Sequence, residues 1–247
     1  MIEKKTSPFF KSDATLSLSL LGCLAMDDLE QMLASLQRTQ ANREAQTKNT
    51  NVEAIADPLH DLLDNTVTKS HALSRAYYRL GLVEKRCMEA LISKLHPLRN
   101  DNNLTEIELS ALEYAKTYGI PSNIAYRDVA SAVQALIHRV ITADRSNGKK
   151  GRIEMTLMTY AEYKDDEGKI LCEFNPRIVP YLIGLKEKFS SYPLRDAANF
   201  SSSYTWRFYE ILVSWAQPKQ DTKGLFAGWM RNQSVDELRE MLGVPSS

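Results

Sequence analysis

The chain has 247 residues, of which 43% are hydrophobic and 25% are charged, values typical of a soluble globular protein and not of a wholly disordered one. Lys and Arg together number 31, as do Asp and Glu, so the formal net charge is zero. No global electric field therefore draws the protein onto a polyanion, and any affinity for nucleic acid must come from local basic patches. The length is sufficient for two small domains.

The three cysteines, Cys23, Cys87 and Cys172, form no C-x-x-C pair and are odd in number, which argues against a disulfide framework and a cysteine-rich zinc site. No apolar run approaches the roughly 20 residues that span a bilayer. We therefore expect a cytoplasmic protein without a membrane partner.

Residues 1–65 are predicted to form an N-terminal extension that is partly helical or disordered. Within it, residues 27–48 favour a helix, with a short apolar stripe at its start. Residues 49–65 have no clear period and contain Pro58, which is typical of a linker.

A first compact domain is predicted over residues 66–190. Apolar residues recur at a spacing of four from Val83 to Leu95 and indicate a helix that begins near Leu82 and ends at Pro97. Residues 104–109 alternate between apolar and polar, as in a short half-buried strand.

Two helices joined by a tight turn follow. Ser110 is expected to cap a helix that ends at Tyr118, before Gly119, and Ser122 to cap a second helix that ends near His138. The spacing predicts that the second helix buries one apolar face and exposes a polar one. Polar groups on that exposed face could contact base edges, and the candidates are Asn123, Tyr126, Arg127 and Gln134.

The next segment is predicted to be a wing. It combines strands at residues 140–143 and 152–163, a turn at 165–168 and a returning strand at 169–174. The loop between the first two strands is basic and could contact phosphates. Its candidate residues are Arg145, Lys149, Lys150 and Arg152. Helix, helix and hairpin in this order predict a winged helix.

Beyond Asn175 we predict a helix over residues 176–189 and another over residues 204–216. The second is expected to bury Phe208, Ile211, Leu212 and Trp215. A strand over 225–230 and a helix over 235–242, capped by Ser234 and Glu237, complete the chain.

Two motifs resemble a known family: FNPRIVPYLIGLKEKFSSYPL from Phe174 to Leu194, and SSYTWRFYEIL from Ser202 to Leu212. Both are similar to the signature of iteron-binding initiators of theta-type plasmid replication. The positions that match the family pattern are Phe189, Tyr192, Tyr204, Arg207 and Tyr209. We expect Arg207 to have a structural role, and we also keep this arginine as a candidate phosphate contact.

The resemblance covers about residues 66–244 and implies an α+β fold, with a complete first winged helix and a truncated second one over residues 191–247. It implies a protein that binds double-stranded DNA at short direct repeats, helps to open the origin, loads host replication proteins and, as a homodimer, represses its own gene. We expect no cofactor, no metal and no catalytic residue.

Two other functions stay open from the sequence. A winged-helix transcriptional repressor would read an operator without contacting replication proteins. An origin-nicking nuclease would need a close histidine pair for its metal, whereas the four histidines are dispersed along the chain. The chain also lacks the phosphate-binding G-x-x-x-x-G-K-[ST] loop of an ATPase.

Overall fold

The structure is a computed structural model, which describes residues 26–46, 61–95, 106–144, 151–215 and 234–242. Runs of helices and runs of strands both occur along these ranges, as in an α+β protein. The predicted strand over residues 225–230 lies outside the described residues, as do Pro97 and the predicted basic loop.

Helix α1 (Met26–Gln46) confirms the helix predicted in the N-terminal extension. It packs against α6 (Ser203–Trp215) and the short 3-10 turn Leu194–Asp196. The buried Asp28 accepts hydrogen bonds from the Ser201 backbone N–H at 3.0 Å, the Ser201 hydroxyl at 2.8 Å and the Thr205 hydroxyl at 2.9 Å. An acidic group is stabilised at a helix N-terminus, so Asp28 fastens α1 to the start of α6.

Strand β1 (Thr66–Ser70) pairs antiparallel with β7 (Phe189–Pro193), so that Thr66 lies opposite Pro193 and Ser70 opposite Phe189. Helix α2 (His71–Arg75) follows β1 directly and is capped by the Ser70 hydroxyl, which accepts from the Leu73 N–H. The predicted domain boundary between residues 190 and 191 falls inside β7 of this sheet.

The helical layer contains α3 (Leu82–Ser93), α4 (Ala111–Tyr118) and α5 (Ser122–His138), which pack on one another. The predicted start and end of α4 are confirmed. Ser110 caps its start and forms a capping box with Glu113, and Gly119 takes a left-handed φ of 63° at its end. Ser122 does not cap α5, since Pro121 occupies the cap position and Ser122 is already helical.

Strand β2 (Glu106–Ser110) forms a three-stranded antiparallel sheet in the order β2, β6 (Lys169–Phe174), β5 (Met158–Lys164). A separate two-stranded sheet pairs β3 (Val140–Asp144) with β4 (Arg152–Thr156). The predicted strand over residues 152–163 is thus two strands, divided at the buried Leu157, whose N–H donates to the Arg139 carbonyl at 3.4 Å.

The prediction of a helix over residues 176–189 is wrong. Only Val179–Tyr181 forms a 3-10 turn there, because Pro180 has no N–H to donate and Gly184 and Lys188 take positive φ values of 67° and 55°. The segment still buries Ile178 and Leu182, so its apolar residues serve the core without helical geometry.

Helix α6 is confirmed within a residue of its predicted ends, but the predicted buried face is wrong in part. Ile211 is buried, whereas Phe208, Leu212 and Trp215 are only half-buried. The buried face carries Trp206, Tyr209 and Val213 together with the charged Arg207 and Glu210. The spacing of apolar residues does not predict that charged residues are buried.

Helix α7 (Val235–Leu242) confirms the last predicted helix and its capping box, in which the Glu237 N–H donates to the Ser234 hydroxyl at 3.2 Å and the Ser234 N–H donates to the Glu237 carboxylate at 2.9 Å. Leu242 is buried. Among the described helices, none is both long enough and apolar enough to cross a membrane.

Candidate nucleic-acid interface

Helix α5 exposes one continuous polar stripe, which we call the α5 stripe. At 100° per residue its members fall within about a quarter of the helix circumference. All of them are exposed, and they are Asn123, Arg127, Ser131, Gln134 and His138. On the opposite side Ala125, Val129 and Val133 are buried against the core. The predicted division into a buried apolar face and an exposed polar face is therefore confirmed.

The α5 stripe holds the side-chain types that read DNA bases. Asparagine and glutamine can make paired hydrogen bonds to adenine, and arginine to guanine, through the major groove. Arg127 has one nearby carboxylate, that of Asp128 at 3.9 Å, while its own side chain is 76% exposed. A water-exposed pair at that distance is weak, so the guanidinium is available to a ligand.

Tyr126 lies beside the stripe and joins α5 to the turn between β5 and β6. Its half-buried side chain donates a hydrogen bond from the hydroxyl to the Asp165 carboxylate. That hydrogen bond, with the nearby negative charge, raises the pKa of Tyr126 to about 12. The predicted base contact of Tyr126 therefore competes with an existing bond that fixes the hairpin to the helix.

The predicted single wing is two hairpins with opposite charge. The β5–β6 turn is acidic, because Asp165, Asp166 and Glu167 are all exposed there. The β3–β4 hairpin carries the basic segment, with Arg152 opposite Asp144 at its outer end. Repulsion from phosphates therefore disfavours the β5–β6 turn as a DNA contact and favours the β3–β4 hairpin.

Of the four predicted residues of the basic segment, Arg152 is described. Its side chain is 74% exposed and pairs with Glu154 at 2.9 Å on the same strand. Arg145, Lys149 and Lys150 lie outside the described residues.

The structure corrects the prediction that Arg207 contacts phosphate. Arg207 is only 3% exposed, and its guanidinium donates to the Tyr78 hydroxyl at 2.7 Å, to the Ala76 carbonyl at 2.8 Å and to Glu210 at 3.1 Å. It also donates to the Met241 carbonyl of α7 at 3.3 Å. A guanidinium enclosed in this way is part of the protein interior.

Arg207 belongs to what we call the buried charge cluster, whose members are Lys69, Lys85, Glu89, Arg207 and Glu210. Lys85 donates to Glu89 at 2.6 Å and to Glu210 at 2.7 Å, and Lys69 donates to both carboxylates. The cluster joins β1, α3 and α6, and it explains why the charged residues of α6 face inward.

The pKa values within the cluster follow its charges. Burial alone would lower the pKa of Lys69, but Glu210 and Glu89 outweigh burial and raise it. Burial alone would raise the pKa of Glu210, but Lys69, Lys85 and Arg207 lower it well below the usual range. Both partners are thus held in their charged forms.

Sequence reasoning missed Arg139, which follows α5 directly and is exposed next to His138. Its guanidinium donates to Glu84 at 2.7 Å. The available signal was its position, one residue beyond the predicted end of a helix whose polar face was already a candidate for DNA contact. Within the described ranges, no group of three His, Cys, Asp or Glu residues could hold a metal ion.

A helix, a tight turn, a second helix with an exposed polar face and a β-hairpin on a three-stranded sheet define the winged-helix class of proteins. Residues 66–213 match the model of the family described as "Initiator Replication protein, WH1". The chain belongs to this family, which confirms the resemblance predicted from its two motifs.

One solved structure agrees with this fold. The chain is similar to the crystal structure of Pi initiator protein in complex with iteron DNA, with a TM-score of 0.56, 20% identity and coverage of 73% of each chain. It is also similar to the MSBI1.176 WH1 domain, a replication protein isolated from a multiple sclerosis patient, with a TM-score of 0.35, 22% identity and coverage of 42% of this chain and 78% of that one.

A curated relative, an uncharacterized 27.6 kDa protein of Escherichia coli, is 24% identical over 156 residues. The match covers 60% of this chain and 65% of the relative, so the chain spans about two thirds of the length of that protein.

Proposed function

We propose that this chain is a plasmid replication initiator that binds double-stranded DNA at the direct repeats of an origin. The observation that carries the proposal is the α5 stripe, which exposes base-reading side chains on the second helix of a helix-turn-helix while the opposite face is buried. Membership of the initiator family supports it, as does the likeness to an initiator that was crystallised with iteron DNA.

The residues divide into two roles under this proposal. Asn123, Arg127 and Gln134 contact base edges in the major groove, which an α-helix can enter. Arg145, Lys149, Lys150 and Arg152 contact phosphates from the β3–β4 hairpin and fix the register of α5 on the duplex. Tyr126 orients α5 relative to the acidic hairpin through Asp165.

The domain organisation is also part of the proposal. The first winged helix extends through α6, because Trp206 and Tyr209 belong to the same apolar core as Leu91 and Leu109. The second unit then begins beyond residue 215 and includes α7, in place of the predicted start at residue 191. The extension before residue 66 contributes α1, which packs on α6.

We further propose that the protein acts by binding and assembly, without catalysing a reaction. It opens the origin together with host replication proteins, and as a homodimer it represses its own gene. A cytoplasmic location follows from these partners.

The direct test is binding of the purified chain to a duplex that contains the direct repeats next to its gene. A duplex of the same composition with the repeats shuffled is the control. Specific sites are typically bound about 10³-fold or more tightly than nonspecific DNA, so fluorescence anisotropy should resolve the difference. Equal affinity for the two duplexes would overturn the proposal.

Two further assays separate the alternatives. A plasmid that depends on this gene and its repeats should replicate, whereas a plain repressor would not sustain it. Supercoiled origin DNA incubated with the protein and magnesium should stay supercoiled, and nicked circles would instead show a nuclease.

A further inference from the structure

A cavity of about 470 Å³ opens at the place where three helices meet. It lies between the start of α3, the end of α5 and the start of α6. Its lining residues are Arg79, Leu80, Gly81, Arg139, Ser203 and Tyr204. Two guanidinium groups and two hydroxyl groups therefore share one cavity, and each of them can donate a hydrogen bond to an anion.

One of the two arginines is already paired. Arg139 donates to the Glu84 carboxylate through Nη2 at 2.7 Å and Nε at 3.2 Å, and the Gly81 N–H donates to the same carboxylate at 2.9 Å. Arg79 is exposed, and within the part of the chain that the structure describes it has no ion-pair or hydrogen-bond partner. The cavity thus keeps one uncompensated positive charge.

The two helix ends at the cavity already have carboxylate partners. Gly81 is the N-cap of α3, where Glu84 accepts from the Gly81 N–H, and Ser203 is the first residue of α6, where Asp28 accepts from Ser201 and Thr205. The hydroxyls of Ser203 and Tyr204 have no partner among the described residues. Arg79 and the two hydroxyls together favour a ligand with several acceptor oxygens, such as a phosphate.

The cavity also lies at the end of the α5 stripe. Arg139 comes directly after His138, the last exposed residue of the stripe. A helix of 17 residues is roughly 25 Å long, whereas the major groove is about 12 Å wide, so a helix that lies in the groove extends to the flanking backbone.

We propose that this cavity binds a backbone phosphate of the DNA duplex, with Arg79 as its main ligand. The inference rests on the proposed DNA binding and adds to it a contact that the β3–β4 hairpin does not make. It gives the duplex an anchor at the opposite end of α5 from Asn123.

The test compares Arg79→Ala with the wild-type chain on a mixed-sequence duplex over a series of KCl concentrations. One phosphate contact contributes about 0.9 to the slope of log affinity against log salt, so the variant should lose about that much. Arg177→Ala is the control, because Arg177 is also exposed but lies outside the cavity. Its slope should equal that of the wild type.

Failure of this inference can be told apart from failure of the proposed function, because a mixed-sequence duplex contains no direct repeat and tests only the contact with phosphates. A wild-type slope in Arg79→Ala would overturn the inference, as would an equal loss in Arg177→Ala. Inorganic phosphate gives the other arm. If phosphate raises the Tm of the wild type but not of Arg79→Ala, while both keep the same salt slope on DNA, the cavity binds a free anion and the DNA assignment is wrong.

Discussion

Two regions of this molecule use the same residue types in opposite ways. The buried charge cluster encloses Lys69, Lys85 and Arg207 with two carboxylates, all at most 3% exposed. The α5 stripe carries Arg127, whose side chain is 76% exposed and lies 3.9 Å from the Asp128 carboxylate. Arg207 and Arg127 both lie on amphipathic helices, yet one stabilises the domain interior and the other is free to bind.

The difference shows that partners decide what a charged residue does. A buried cation needs carboxylates and carbonyls nearby to offset its lost hydration, and the cluster has them in Glu89 of α3, Glu210 of α6 and the Ala76 carbonyl. The α5 stripe has few such groups nearby, so its side chains keep their hydrogen-bonding capacity for a ligand. Substitutions in the two regions should therefore affect different measurements.

The largest effect is expected for Arg207→Ala. The substitution removes the buried guanidinium that donates to the Tyr78 hydroxyl, the Ala76 carbonyl and Glu210, and breaking a buried charged network typically costs about 3 to 5 kcal/mol. Urea denaturation should show this loss in the free energy of unfolding. The matched control is Arg127→Ala, which removes an exposed arginine and should change stability by less than about 0.5 kcal/mol. Similar stabilities for the two variants would remove the distinction between the regions.

Binding should show the reverse order. Arg127→Ala is expected to reduce the preference for the direct repeats over a shuffled duplex by about 1 to 3 kcal/mol, because one paired contact to a base is lost. Competition anisotropy with the two duplexes measures the preference directly. Arg177→Ala serves again as the control for loss of an exposed positive charge. An unchanged preference in Arg127→Ala would assign base reading to another part of the protein.

The buried charge cluster should also make stability sensitive to acid. The pKa of Glu210 is lower in the folded chain than its ordinary value of 4.5, so its contribution is present above that value and is lost as the pH falls below it. Each proton taken up on unfolding changes the free energy by about 1.4 kcal/mol per pH unit.

Between pH 5 and pH 3, the free energy of unfolding obtained from denaturation curves should therefore depend less steeply on pH for Glu210→Gln than for the wild type. The substitution is itself destabilising, so the quantity to compare is the slope of stability against pH. Equal slopes would mean that other carboxylates dominate the acid response.

The smallest effect on stability is expected for substitutions in the β3–β4 hairpin. Replacing Lys149, Lys150 and Arg152 with alanine should flatten the salt dependence of DNA binding by about 0.9 per lost phosphate contact. Stability should stay near that of the wild type, since Arg152 has only an exposed pair with Glu154. An unchanged slope would leave the hairpin without a role in binding.

The sequence was sufficient for the elements that follow local rules. The cap at Ser110, the stop at Gly119 and the two faces of α5 depend on spacing alone, and all were predicted correctly. The mixed helix and strand fold follows from the order of those elements. Exposure of the α5 stripe was predictable for the same reason.

Long-range pairing could not be predicted in the same way. The pairing of β1 with β7 joins residues more than a hundred positions apart, and it sets the extended conformation of Phe189 where periodicity favoured a helix. The inward position of Arg207 depends on Tyr78, Ala76 and Met241, which lie on distant segments. The meeting of Arg79, Arg139 and Tyr204 at one cavity likewise requires the tertiary fold.

The pairing of Thr66 with Pro193 has a mechanical consequence. Thr66 begins β1 and Pro193 ends β7, so these two points are adjacent on neighbouring antiparallel strands. A force that pulls these two points apart acts across the strands and loads their hydrogen bonds one after another, starting at Thr66. The domain should therefore resist tension less than a fold in which the same ladder is sheared along its length, and its first step of forced opening should separate β1 from β7 while α3, α4 and α5 remain folded.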